Sequence, residues 1–253
     1  MRNSIGLSLV IRPKGRSPAD EYQHRGQTWI EGRNGSHYVI ELQNHTWNRV
    51  MAVVSVDGLC VVDGKPASYD SDGFLVEANS TLSIPGWMLN RQQAAEFVFG
   101  SRQTSYAAQS GNDTSNVGVI GVAWFSEKEP VYQIQPFPFY GVGADLGSKG
   151  LVGTRSLQAS GSSGSVPSNS AGMASVGTGF GNETSFKTTR VDFTRHSSQP
   201  IVVQTIFYDS ADNLQKMGIR LKERNTYSSR VAFPGSEPNF CKPPPSWVTA
   251  KLR

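Results

Sequence analysis

Between Val50 and Trp87 the chain reads VMAVVSVDGLCVVDGKPASYDSDGFLVEANSTLSIPGW, a series of short apolar runs cut by Asp-Gly pairs and closed by Pro-Gly before a tryptophan. Val50, Ala52, Val54 and Val56 alternate with Met51, Val53, Ser55 and Asp57. Both sets are mostly apolar, so this strand should be buried on nearly both faces and lie inside a sheet. Asp57-Gly58 and Asp63-Gly64 supply the positive-φ positions of tight hairpin turns and bracket a short strand from Leu59 to Val62. The stretch is expected to form a meander that builds a core and carries no chemistry.

The flanking segments extend the pattern. Ile5, Leu7, Leu9 and Ile11 repeat at period two and are followed by the polar RPKGRSPADEYQ, which predicts one strand and then an arm. That strand could pair within its own chain or with a neighbouring sheet. Tyr38, Ile40 and Leu42 share one face of HYVIELQN, which is expected to pair with the Val50 strand across a turn at Asn44 to Asn48. Phe74 to Val76 and Ser80 to Ile84 are two further strands, Pro85-Gly86 is expected to stop the sheet, and Trp87 to cover the core. Ala94 to Phe99 and Val117 to Phe125 follow, separated by the polar loop Ser101 to Asn116, either a contact surface or the seat of a short helix around Tyr106 to Gln109.

From Gly141 to about Val176 the composition shifts to Gly, Ser and Ala, too poor in apolar surface to offset its ordering entropy. Pattern returns in the expected strands Phe186 to Phe193 and Ile201 to Tyr208, the second apolar enough to be central. Ser210 as N-cap and Gly218 as stop mark a two-turn helix. The fold expected is all-β: an antiparallel β-sandwich, jelly-roll or immunoglobulin-like, with one short helix and extended arms. Its parts are an N-terminal strand and arm (1–22), a main sandwich (23–137), a Gly/Ser-rich excursion (138–185), returning strands and helix (186–225) and a Pro-rich tail (226–253).

Charge argues against several functions. The excess of basic over acidic residues is only +4, and the basic residues are scattered, whereas a nucleic-acid footprint is dense and one-sided. No run approaches the roughly 18 apolar residues of a spanning helix. The apolar run Ile5 to Ile11 is too short for a signal peptide, so synthesis inside the cell is expected. Cys60 and Cys241 sit in dissimilar contexts without metal spacing, and a disulfide between them is the minor expectation. Asn-x-Thr patterns at Asn44, Asn79, Asn112 and Asn182 carry no weight without a secretory signal.

No segment assembles catalytic groups. The four histidines, His24, His37, His45 and His196, lie in no recognisable motif, although His37 and His45 could face each other across a turn. Asp70, Asp72 and Glu77 fall short of a calcium loop and read as a turn. Gly177-Thr-Gly179-Phe-Gly181 and Asp63-Gly-Lys65-Pro66 lack the strand and helix N-terminus that frame a phosphate cradle. Of Trp29, Trp47, Trp87, Trp124 and Trp247, at least three are expected in the core, and any left exposed could stack on sugars. No catalytic, cofactor or metal residue is assigned, and no enzymatic activity is expected.

Several runs occur together and in order: Ala52 to Ser68 with its DGL and DGKPAS parts, IPGW at Ile84 to Trp87, FGSRQTSYAAQ from Phe99, NVGVIGVAWF from Asn116, GTGFG from Gly177, and VDFTR with the later Tyr208-Asp209. Over Tyr38 to Ile219 the chain resembles a family of β-rich proteins, without an assigned activity, spread through tailed-phage, large DNA virus and some bacterial genomes. The Gly/Ser excursion, N-terminal arm and Pro-rich tail depart from that pattern, as expected of an assembly-specific subunit. The expectation is therefore a structural virion protein of a tailed phage, a minor capsid, decoration or head-to-tail accessory subunit made in the host cytoplasm. Its partners would be other virion proteins and copies of itself, with no membrane and no specific nucleic acid. Phe137, Phe139, Tyr140, Phe240 and Trp247 are the expected partner-binding anchors. The alternative is a glycan-binding or host-surface adhesion module.

Overall fold

The computed structural model describes residues 6–128 and 174–222. In chain order the strands are β1 (Leu7–Pro13), β2 (Tyr22–His24), β3 (Gln27–Glu31), β4 (His37–Asn44), β5 (Val50–Val56), β6 (Leu59–Cys60), β7 (Phe74–Val76), β8 (Ser80–Ile84), β9 (Gly86–Met88), β10 (Gln93–Ser101), β11 (Val119–Ser126), β12 (Val176–Ser185) and β13 (Val202–Asp209). A 3-10 turn at Arg102–Thr104 and two short helices, α1 (Tyr106–Gln109) and α2 (Ala211–Lys216), complete the described elements. Both helices begin on a serine whose hydroxyl accepts an orphan amide: Ser105 from Ala108, and Ser210 from Asn213. The chain is thus largely β, in two sheets.

The six-stranded sheet runs β1-β4-β10-β12, with β8 also on β4 and β9 on β10; the seven-stranded sheet runs β2-β3-β13-β11-β5-β6, with β7 also on β5. Buried side chains from both sheets, among them Leu9, Tyr38, Ile40 and Phe97 of the first and Ile30, Val54, Trp124 and Ile206 of the second, form one continuous cluster. Val50 to Val56 is inside its sheet as its composition demands, between β11 on one edge and β6 and β7 on the other. Its hairpin to β6 turns at Asp57 (φ 53) and Gly58 (φ 81), the two left-handed positions of a type I′ turn. β13 is central, flanked by β3 and β11.

The structure differs from the sequence expectations at several places. The stretch from Val50 to Trp87 is not a meander, since β6 and β7 both pair with β5 while β8 joins β4 and β9 joins β10 in the other sheet. β4 and β5 do not pair: β4 belongs to the six-stranded sheet and β5 to the other, and Asn44 makes the corner between them. Its Oδ1 accepts from the Thr46 amide and hydroxyl, and its Nδ2 donates to the carbonyls of Asn48, Val76 and Glu77. Fully buried and fully bonded, Asn44 leaves no room for a glycan. Nor does Pro85-Gly86 stop the sheet. It passes the chain from β4's edge to β10's, where a Cβ on Gly86 would lie 1.8 Å from the Ala95 carbonyl oxygen, so only glycine permits the approach. The returning strand is Val176–Ser185, not Phe186 to Phe193. Finally, the sheets are not wholly antiparallel, because β13 and β3 run parallel.

The N-terminal strand β1 pairs along its whole length with β4 of its own chain. Gln204 of β13 links the sheets, accepting from Trp124 Nε1 at 2.9 Å and donating to the Leu7 carbonyl at 3.0 Å. Among the described residues no helix is long and apolar enough to cross a membrane.

Candidate functional site

Two polar constellations emerge, one sealed and one open. The sealed one centres on Asp57, whose turn places the carboxylate in the core with 1% of its surface exposed. Oδ1 accepts from the Gly118 amide at 2.9 Å and from the Tyr208 hydroxyl at 2.5 Å, and Oδ2 accepts from the Thr178 amide at 2.7 Å. Thr178 Oγ1 lies 2.7 Å from the Tyr208 hydroxyl and 2.8 Å from that of Tyr38. An ionised carboxylate only accepts, so Tyr208 spends its proton on Asp57, Thr178 donates to Tyr208, and Tyr38 donates to Thr178. The chain runs in one direction from β4 through β12 and β13 to the β5–β6 turn, joining both sheets. Burial pushes the Asp57 carboxyl up from 3.8 to about 6, against the opposing hydrogen bonds from Tyr208, Thr178 and Gly118. Burial likewise raises both tyrosines well above their ordinary value, and the negative Asp57 adds to the effect. With no solvent path, these groups hold the sheets in register and are not placed to meet a substrate.

GTGFG owes its glycines to this arrangement. It lies within β12, where a Cβ on Gly177 would meet Ser105 Cβ at 2.6 Å and one on Gly179 the Thr104 carbonyl oxygen at 3.0 Å. The glycines admit close packing of the 3-10 turn and α1 against the strand while Thr178 enters the core. No phosphate cradle is formed.

The open constellation is a groove of about 570 Å³. Its two banks are tight turns, Pro13–Arg16 and Arg33–Ser36, each closed by a hydrogen bond from the last amide to the first carbonyl, at 3.1 and 2.9 Å. Gly15 (φ 71) and Gly35 (φ 76) hold the third, left-handed position of each. The second turn is anchored to β10, the Gly35 amide donating to the Phe99 carbonyl at 2.7 Å and the Phe99 amide to the Ser36 carbonyl at 3.0 Å. Lys14 and Arg16 come from the first turn, Arg33, Asn34 and Ser36 from the second, with His37, Glu96 and Asn182 between them. Lys14 Nζ meets Glu96 Oε1 at 2.6 Å, and Arg33 forks onto Glu31 at 2.8 and 3.2 Å. His37 Nδ1 lies 2.7 Å from Glu96 Oε2 without the direction of a hydrogen bond. The Lys14 ammonium, with a smaller contribution from His37, holds Glu96 below the ordinary carboxylate range.

The expected anchors Phe137, Phe139, Tyr140, Phe240 and Trp247 lie outside the described residues, as does Cys241. Trp29, Trp87 and Trp124 are buried, and Trp47 is 87% exposed. His37 and His45 do not face each other; they stand at the start of β4 and just beyond its end. Asp70 and Asp72 belong to a turn stitched by Ser68 and Ser71, and no cluster of three potential metal ligands occurs among the described residues. Neither Asp57 nor the groove was singled out from sequence. The available signals were the Lys-Gly-Arg and Arg-Asn-Gly-Ser turns, each carrying an arginine within two residues of its glycine. No family model, no curated protein and no solved structure matches the chain.

Proposed function

We propose that this protein is a structural subunit of a tailed-phage particle, a minor capsid, decoration or head-to-tail accessory component that works through contacts with other virion proteins and copies of itself. The finer fold proposed is a β-sandwich, supported by the main buried cluster, to which both sheets contribute. The observation carrying the functional reading is that the seven-stranded sheet is apolar on both faces. Away from the main core, Val53, Ala123 and Phe125 form a second cluster with Met51 and Phe193. Val53, Ala123 and Val203 lie side by side across β5, β11 and β13, and Val203 and its neighbour Ile201 remain 48% and 44% exposed. The chain itself covers most of this second face, with Val53, Ala123 and Phe125 at most 7% exposed, and leaves Val203 and Ile201 open; a neighbouring subunit of a particle would cover them.

Mass spectrometry of purified particles should find the protein in stoichiometric amount, and Val203→Asp should leave it folded but exclude it from the particle. Absence from particles, or normal incorporation of the variant, contradicts the reading. The second reading, a glycan-binding or host-surface adhesion module, draws support from the polar groove rather than from the tryptophans, most of which pack the core.

A further inference from the structure

We propose that the groove between the Pro13–Arg16 and Arg33–Ser36 turns binds an acidic saccharide, its oxyanion held by Arg16 and Arg33 and its hydroxyls by Asn34, Ser36 and Asn182. This names a ligand class for the glycan-binding reading and rests on it. The volume of about 570 Å³ suits a small oligosaccharide. The groove's residues are polar or glycine throughout, so it offers none of the aromatic or aliphatic anchors around which protein interfaces are built.

Its donors converge and are unspent. The side chains of Arg16, Asn34, Ser36 and Asn182 make no hydrogen bond with other described residues, and Lys14 uses one of its three protons on Glu96. Arg33 keeps guanidinium protons beyond the two it gives Glu31. Of the three cations, Lys14 is paired with Glu96 and Arg33 with Glu31, so Arg16 supplies the net positive charge that an added anion meets. Carboxamides and a hydroxyl both donate and accept, as vicinal sugar hydroxyls require. The sites are also preorganised, because Gly35 and Ser36 of the second turn are both bonded to Phe99 of β10 and Lys14 donates its amide to the His37 carbonyl at 2.8 Å. The basic residues are scattered along the chain with an excess of only +4, which disfavours a nucleic-acid backbone.

The full chain would be titrated calorimetrically with trigalacturonate, 3′-sialyllactose and a sulfated chondroitin tetrasaccharide, alongside lactose, chitotriose, inorganic phosphate and hexaglutamate. At least one acidic sugar should bind at or below about 1 mM and weaken with added salt. Arg16→Ala and Arg33→Ala should each weaken it about tenfold or more, and Arg16→Lys should retain part of the affinity. Both arginines sit on surface turns, so unchanged circular dichroism is expected of the variants. Binding of lactose or chitotriose but no acidic sugar would overturn this inference while leaving the glycan reading standing. No sugar binding at all would end both. Equal binding of phosphate or hexaglutamate would show a general anion patch or an acidic-protein surface and would also overturn the proposal.

Discussion

Replacing Asp57 with Asn tests whether the buried network is organised around a charge. Both carboxylate oxygens receive backbone amides, Gly118 on Oδ1 and Thr178 on Oδ2. A carboxamide has one acceptor oxygen, so its NH2 must face one of those N–H groups, leaving two donors opposed in a site that is 1% exposed. At about 1–3 kcal/mol for each unpaired buried group, the penalty is roughly 2–6 kcal/mol. Removing the charge works the other way. The displacement of the carboxyl from 3.8 to about 6 corresponds to about 3 kcal/mol by which burial disfavours the ionised form. Because the folded value is raised, the wild type has this stability in full below the unfolded value and loses it as pH rises through about 6. Asn does not titrate. The variant should therefore be modestly destabilised near neutral pH, and the gap should widen by about 2 kcal/mol on going from about pH 7 to about pH 4. Urea unfolding of both proteins across that range measures the gap directly, and other titrating groups cancel in the difference. A gap that stays constant with pH, or a variant more stable than wild type at the acid end, refutes the reasoning.

Thr178→Val should cost about 1–3 kcal/mol in the same unfolding assay, because it strips Tyr38 of its acceptor and Tyr208 of a donor while preserving volume; a neutral result would mean the hydroxyl chain contributes nothing. Gly86→Ala should cost at least about 3 kcal/mol by forcing β9 off β10, and a fully stable variant would show that the close approach to Ala95 is not needed. Cys60 is buried with its thiol raised by burial, so iodoacetamide should label it only in denaturant, as mapped by peptide mass spectrometry; prompt labelling of the native protein would contradict its burial.

What local chemistry controls was readable along the chain. The type I′ turn at Asp57-Gly58, the doubly apolar β5, the serine cap of α2 and the interior tryptophans follow from backbone preference and from apolar patterning within a few residues. Partner choice was not readable, since it depends on residues far away in sequence. β4 and β5 look like a hairpin, yet Asn44 bonds to Val76 and Glu77 and sends the chain to the other sheet. β12 is glycine-rich and has weak strand propensity, but β10 supplies its ladder and the 3-10 turn fills the space above its glycines. The two Asp-Gly turns show the limit most plainly. Asp63 stays near the surface and accepts from the Lys65 amide two residues on, as an isolated turn would have it. Asp57, in the same dipeptide, accepts from residues 61, 121 and 151 positions away and becomes the buried charge of the core. The groove has the same origin: two unremarkable glycine turns become a binding site only because β1–β4 pairing and the tie to β10 bring their arginines to opposite banks. Local sequence determines which backbone shapes are cheap, whereas a buried charge or a converging set of donors exists only after distant strands have met.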